Sequence, residues 1–329
     1  MRHVSHYILA AAAAFAAPAL AQQSAPRAED SVVVVEGVRV NERQIDTFVD
    51  ALTDVEFGGQ IGRFERLACP AAVGLLSAEQ NADIVSRLRV VAEAAGIEVG
   101  EEGCRPNLLV VVTHNKREFI EQLDRRYPAY FHAMSARQVR RLAQSHDPVA
   151  VWHVEGRIGP DGQEAPLAVP NFAGGMILTP DGFGRPMQGP DGNLIGGDFT
   201  VVDVTYTPGR IRATTRPHFV ASVMVAELGA LAGLTTTQFA DYAAMRTFAE
   251  TEPARVALTG VPTILKAIDT PLDSAVPLTL THWDLSFLRA LYALPENQFE
   301  NMQRSNMRRL MTEELVNAAG RVEEQAPPS

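Results

Sequence analysis

The chain has 329 residues, 46% of them apolar and 21% charged, with 29 basic against 39 acidic side chains and a net charge of −10. These proportions exclude a disordered polyelectrolyte, a collagen and a disulfide-dense miniprotein, and they leave room for one large or two modest domains. The negative balance argues against nucleic acid as a partner, because affinity there rests on neutralising phosphates.

At the N-terminus, Arg2, His3 and His6 precede an apolar run from Tyr7 to Ala17, and Ala19-Leu20-Ala21 stands before Gln22. A charged start, a short apolar stretch and an A-x-A site are the anatomy of a secretory signal peptide, so residues 1–21 are expected to be removed. Pro18 and the polar leader, residues 22–30, oppose the alternative of a buried N-terminal helix. No Cys follows the cleavage site, so no lipid anchor is expected. No later apolar run approaches the roughly 20 residues that span a bilayer, so no transmembrane segment is expected after cleavage. Removal takes Arg2 and no acid, which moves the net charge from −10 to −11. The expected location is the periplasm or the exterior. Only Lys116 and Lys266 among the basic residues are Lys, which together with the abundance of Ala points to a GC-rich bacterial genome.

Region 31–150 reads as α/β. Ser31 to Val40, with Val32-Val33-Val34-Val35 and then Gly37, predicts a strand or a hairpin. Asn41, with Gln44 three residues on, predicts a helix cap, and Ile45, Phe48, Val49 and Leu52 fall on one face to about Thr53. Ser77 and Gln80 form a capping box for a helix to Ala95, with Gly96 as its C-terminal stop. Leu108 to Thr113 is a continuous apolar run, the mark of a strand covered on both faces. Helices follow from about Asn115 to Arg126 and, capped by Ser135 with Gln138, to about Ser145.

Region 151–225 is strand-rich, with the first strand already starting at Val149 and running to Ile158. Gly159 to Asp198 then holds ten Gly, six Pro and three Pro-Asp-Gly turns, a set of exposed hairpins or a lid. Strands are expected again at Thr200–Tyr206, Arg210–Thr215 and Phe219–Val225. Region 226–322 is helical. Thr235 with Gln238 opens one helix, Pro262 a short one, Thr281 with Asp284 another, and a polar helix spans about Glu296 to Ala319. Residues 323–329 read as a disordered tail. The expected fold is α+β, a mixed sheet flanked by helices with a helical C-terminal third.

Cys69 and Cys104 are expected to form a disulfide in an oxidising compartment. The rival reading, a reactive thiol, lacks a C-x-x-C pattern and a helix N-terminus to acidify it. No nucleophile elbow, phosphate loop, dinucleotide fingerprint or EF-hand loop occurs. His114, His132, His146, His153, His218 and His282 have no partner at helical i, i+4 spacing. The runs Arg137 to Arg141 and Arg304 to Arg309 read as solvated helix faces flanked by acids, and Tyr127, Tyr130 and Phe131 as core or a groove wall. One segment, Ala226-Glu227-Leu228-Gly229-Ala230-Leu231-Ala232-Gly233-Leu234-Thr235-Thr236, can be laid on the zincin pattern H-E-x-x-H-x-x-G-x-x-H. Glu227 and Gly233 match, while Ala226, Ala230 and Thr236 stand where the three metal ligands belong. A zinc site would have to recruit His114, His132 or His153 from afar, so no cofactor or metal is expected. Glu227 is left as a degenerate-site candidate, expected to cap a helix or join a salt bridge.

Cys69-Pro70, Gly103-Cys104-Arg105-Pro106-Asn107, Phe239-Ala240-Asp241-Tyr242-Ala243-Ala244-Met245 and Leu288-Arg289-Ala290-Leu291-Tyr292 together resemble a group of proteobacterial exported proteins of unknown function. The resemblance covers residues 31–315 and brings no activity with it. Some related exported families look zincin-like, a fold analogy that does not license function. The expected function is a non-catalytic binding or envelope-associated module whose partner is a small molecule or an envelope protein. The alternative is a hydrolase or degenerate zincin-like protease, its site assembled from the Gly/Pro-rich loop and the strand ends near Glu227. His residues around Glu227 would favour the enzyme, and an apolar site there would favour the binding module.

Overall fold

A computed structural model describes residues 41–53, 59–132, 134–159, 187–188, 194–195, 213, 215–268 and 276–325. The expected signal peptide, the polar leader and the strand at Ser31–Val40 lie outside the described residues, as do Thr200–Tyr206 and most of Gly159–Asp198 and Arg210–Thr215.

Helix α1 (Glu42–Leu52) starts where Asn41 accepts the Arg43 N–H at 3.0 Å, and it buries Ile45, Phe48, Val49 and Leu52. Strand β1 (Pro70–Gly74) has no counterpart in the sequence reading, because Pro-Ala-Ala-Val-Gly holds a single β-branched residue. Pro70 is tolerated as the first residue of an edge strand, where no ladder donor is lost. Helix α2 (Ala78–Ala95) has the capping box of Ser77 and Gln80, and Gly96 ends it at φ +74°. Strand β2 (Leu108–Thr113), helix α3 (Lys116–Arg126), a 3-10 turn at Pro128–Phe131 and helix α4 (Ala136–Gln144) follow, α4 opened by its own capping box.

Strand β3 (Val149–Ile158) precedes a short pair, β4 (Met187–Gln188) and β5 (Leu194–Ile195). Strand β6 runs Arg216–Glu227, beyond both ends of the expected strand at Phe219–Val225. A 3-10 turn at Leu228–Leu231 leads to α5 (Thr236–Phe248), α6 (Pro253–Val256), a 3-10 turn at Ile264–Lys266, α7 (His282–Tyr292) and α8 (Glu300–Gln325). The short helix expected after Pro262 is thus only the 3-10 turn. Helix α8 also continues to Gln325, three residues into the expected tail, because Val-Glu-Glu-Gln contains nothing that breaks a helix.

The main sheet has the order β1-β2-β6-β3. The first three strands are parallel, with Pro70 opposite Leu108 and Thr113 opposite Glu227, and β3 closes the sheet antiparallel to β6 with an irregularity between Val154 and Glu155. Helices cover both faces, and the fold is α+β with a helical C-terminal third. β2 sits inside the sheet and alternates between two cores. Leu108, Val110 and Val112 join the larger one with α1, α2, α5, α7 and α8, while Leu109 and Val111 join the smaller one with α3, α4 and Trp152. Burying each such large apolar side chain is worth roughly 1.5–3 kcal/mol. Gly74 is obligatory at the end of β1, since its φ is +119° and a Cβ there would fall 2.0 Å from the Val112 carbonyl oxygen.

Cys69 and Cys104 are bonded, with Cα atoms 6.0 Å apart, tying the entry to β1 to the loop before β2. Gly100 makes room for the bridge, because a Cβ there would lie 2.8 Å from the Cys104 sulfur.

Candidate functional site

Glu227 is the last residue of β6, half-buried at the carboxyl end of the sheet. One carboxylate oxygen accepts the backbone N–H of Lys116, the first residue of α3, at 3.1 Å. Asn115 accepts a second orphan donor of the same helix, the Glu118 N–H, at 3.0 Å. A carboxylate at a helix N-terminus satisfies an unpaired donor and meets the positive end of the dipole. The Lys116 side chain is 2% exposed and turns the other way, donating to the Ser145 carbonyl at 3.0 Å, the Ser145 hydroxyl at 2.7 Å and the Asp147 carbonyl. Burial holds its ammonium below the usual lysine range, against the pull of Glu227 and Asp147. Glu227 and Lys116 therefore lock the ends of β6, α3 and α4 together.

The zincin pattern needs residues 226–230 on one helix, so that two ligands stand a turn apart. The chain instead keeps Ala226 and Glu227 in the sheet, forms a 3-10 turn at Leu228–Leu231 and takes φ +84° at Gly233, and only then does Thr235 cap α5. Gly229 and Gly233 disfavour a continuous helix, and pairing with β2 as far as Thr113 holds Glu227 extended. Among the described residues no group of three His, Cys, Asp or Glu side chains is arranged to hold a metal ion.

The histidines are dispersed. His114 and His146 are exposed, and His132 is half-buried. His218 is 1% exposed and covers Gly156, where a Cβ would fall 2.6 Å from its Nε2. His153 stacks on Phe219 with ring centroids 4.0 Å apart, and its Nε2 lies 3.3 Å from the Thr247 carbonyl oxygen. Burial, with Arg246 adding to it, pushes His153 down to about 3 despite that carbonyl. Burial likewise takes His218 down to about 4, with Arg66 and Arg216 adding to it.

Beside His153 lies a group that sequence reasoning did not single out. Glu155 of β3 is close enough to Glu250, just after α5, to feel its charge. Crowding by the surrounding protein, then the Glu250 carboxylate, pushes Glu155 up to about 7, with Arg157 opposing. Both carboxyls keep solvent contact, which screens their interaction. Glu250 is raised as well, by the partial loss of solvent around it. Gly62 lets Glu155 lie against the backbone, since a Cβ there would stand 3.1 Å from its Oε1. An upward shift of this kind is the direction that a general acid uses. The residues lie 95 apart in sequence and on different elements, so no local pattern could have joined them.

Of the residues that carry the resemblance, those at 239–245 and most of those at 288–292 pack into the core, whereas residues 103–107 are exposed or half-buried. Phe239, Tyr242 and Met245 are buried, and Asp241 is bound by Arg87 of α2 at 2.6 and 3.0 Å, by the Thr279 hydroxyl at 2.7 Å and by the Leu280 N–H at 2.8 Å. In the terminal motif the Arg289 Nε donates to the Ala94 carbonyl at 2.7 Å and the Tyr292 hydroxyl to the Phe248 carbonyl at 2.8 Å. Tyr130 and Phe131 belong to the smaller core, Phe131 stacking on Trp152 at 5.0 Å. No protein-family profile, no curated protein and no solved structure matches the chain.

Proposed function

We propose that the protein is exported, is cleaved after Ala21, and acts in the periplasm or outside the cell as a non-catalytic binding or envelope-associated module related to the proteobacterial exported proteins it resembles. The observation that carries this reading is the engagement of Glu227 by the Lys116 N–H, which gives the one acid singled out for hydrolysis a structural task. The Cys69–Cys104 bridge supports an oxidising compartment, and no described helix is long and apolar enough to cross a membrane.

The test is the intact mass of periplasmic protein, expected to begin at Gln22, together with hydrolase assays of wild type and Glu227→Gln. Material retaining residues 1–21, or a hydrolytic activity abolished by Glu227→Gln, overturns the reading. A second reading is an enzyme that uses Glu155, whose carboxyl is pushed up to about 7 by its surroundings and by Glu250. A hydrolytic activity lost in Glu155→Gln and kept in Glu227→Gln would move the function there.

A further inference from the structure

The two arginine-rich runs have different fates in the fold. On α8, Arg304 pairs with Glu300 at 2.7 Å, Arg308 with Asp50 at 2.5 Å and Arg309 with Glu313 at 2.8 Å. On α3 and α4, across the sheet, Arg125, Arg126, Arg137, Arg140 and Arg141 are all exposed, and none forms an ion pair among the described residues. Leaving out the buried Lys116, these two helices hold six basic and three acidic side chains, a net of +3 in a chain of net −10. Arg125, Arg126 and Gln122 line an open depression of about 390 Å³.

Helix stability explains only part of this. Arg125, Arg126 and Arg141 stand in last turns, where a cation suits the dipole. Arg137 stands in the first turn of α4, where the dipole opposes it, and its spacing of three and four from Arg140 and Arg141 places like charges side by side. Val139 and Ala143 turn the opposite side of α4 into the core, so the three guanidiniums project outward. No acid answers them on α4 itself.

We infer that the α3–α4 face is a docking surface for the phosphate headgroups of an anionic membrane leaflet. Guanidinium forks match phosphate oxygens in pairs, and five of them spread over two helices suit a sheet of phosphates better than one phosphate ion. Helix α3 alone is about 16 Å long. The inference rests on the envelope reading above and deepens it.

The test is cosedimentation of the mature, disulfide-bonded chain with phosphatidylglycerol–phosphatidylethanolamine vesicles, with phosphatidylcholine vesicles, inorganic phosphate and RNA as comparisons. Binding to the anionic vesicles is expected, weakening as salt is raised. The triple variant Arg137→Gln, Arg140→Gln, Arg141→Gln should bind about a hundredfold more weakly. Arg125→Gln with Arg126→Gln should weaken binding independently, and Arg43→Gln on α1 should leave it unchanged. The substituted side chains are exposed, and retained circular dichroism checks that each variant folds. Equal binding to phosphatidylcholine, indifference to both sets of substitutions, a preference for RNA, or binding of inorganic phosphate without vesicle binding would each overturn the inference. Cell fractionation separates the two proposals: a cytoplasmic location defeats export, whereas the vesicle result depends only on the purified chain.

Discussion

The Glu227 carboxylate and the Lys116 backbone N–H, 3.1 Å apart, join the end of one parallel strand to the start of the helix that follows its neighbour. The contact is a cap supplied by a distant residue, and it makes Glu227 a stability determinant. Glu227→Ala is expected to cost about 1 kcal/mol in urea unfolding, and Glu227→Gln, which keeps an acceptor but loses the charge, about half as much. Stability unchanged in both variants would show that the α3 terminus does not need the carboxylate.

The bridge between Cys69 and Cys104 closes a segment with a sequence separation of 35. Chain entropy sets its contribution at about 4 kcal/mol. Reduction, or Cys69→Ser with Cys104→Ser, should lower the urea midpoint accordingly, and thiol titration of denatured, unreduced protein should find no free thiol. Two titratable thiols would contradict the structure directly.

Arg87 and Asp241 form a buried pair, their side chains 10% and 0% exposed. Removing one partner strands the other, so Asp241→Ala should destabilise by about 3–5 kcal/mol. Replacing both, as Arg87→Met with Asp241→Leu, should cost less than the sum of the single changes. Strict additivity in that cycle would mean the two side chains are energetically independent.

Stability should depend on pH through groups that oppose one another. Between about pH 6.5 and 3 the unfolded chain carries a proton on His153 that the folded chain refuses, so this contribution is present above pH 6.5 and lost as pH falls. His218 acts in the same sense down to about 4. Glu155 acts in reverse. Its folded form holds a proton between pH 4.5 and about 7, so its contribution is complete below 4.5 and lost as pH rises through 7. The stability curve should therefore be shallow between pH 4.5 and 6.5 and steepen below 4.5. His153→Phe, which keeps a ring against Phe219, should lessen the acid slope, and Glu155→Gln should steepen the middle window. Urea unfolding across this range checks both, and an acid slope unchanged by His153→Phe would refute the assignment.

What the sequence determined by itself was local. The capping boxes at Ser77, Ser135, Thr235 and Thr281 were legible because cap and partner are three residues apart, a distance that backbone geometry fixes before any packing. The alternation of β2 between two cores was legible as an unbroken apolar run, and the disulfide as a lone pair of cysteines. Tertiary structure decided the rest. β1 is a strand because β2 offers it a ladder, not because Pro-Ala-Ala-Val-Gly prefers one. Glu227 is a cap because β6 lies beside β2, and the Glu250 charge reaches Glu155 because the chain leaving α5 comes near β3. Arg87 finds Asp241 across 154 residues of chain. Each of these contacts depends on which elements become neighbours, and burial of two apolar faces selects those neighbours without leaving a short-range pattern in the chain.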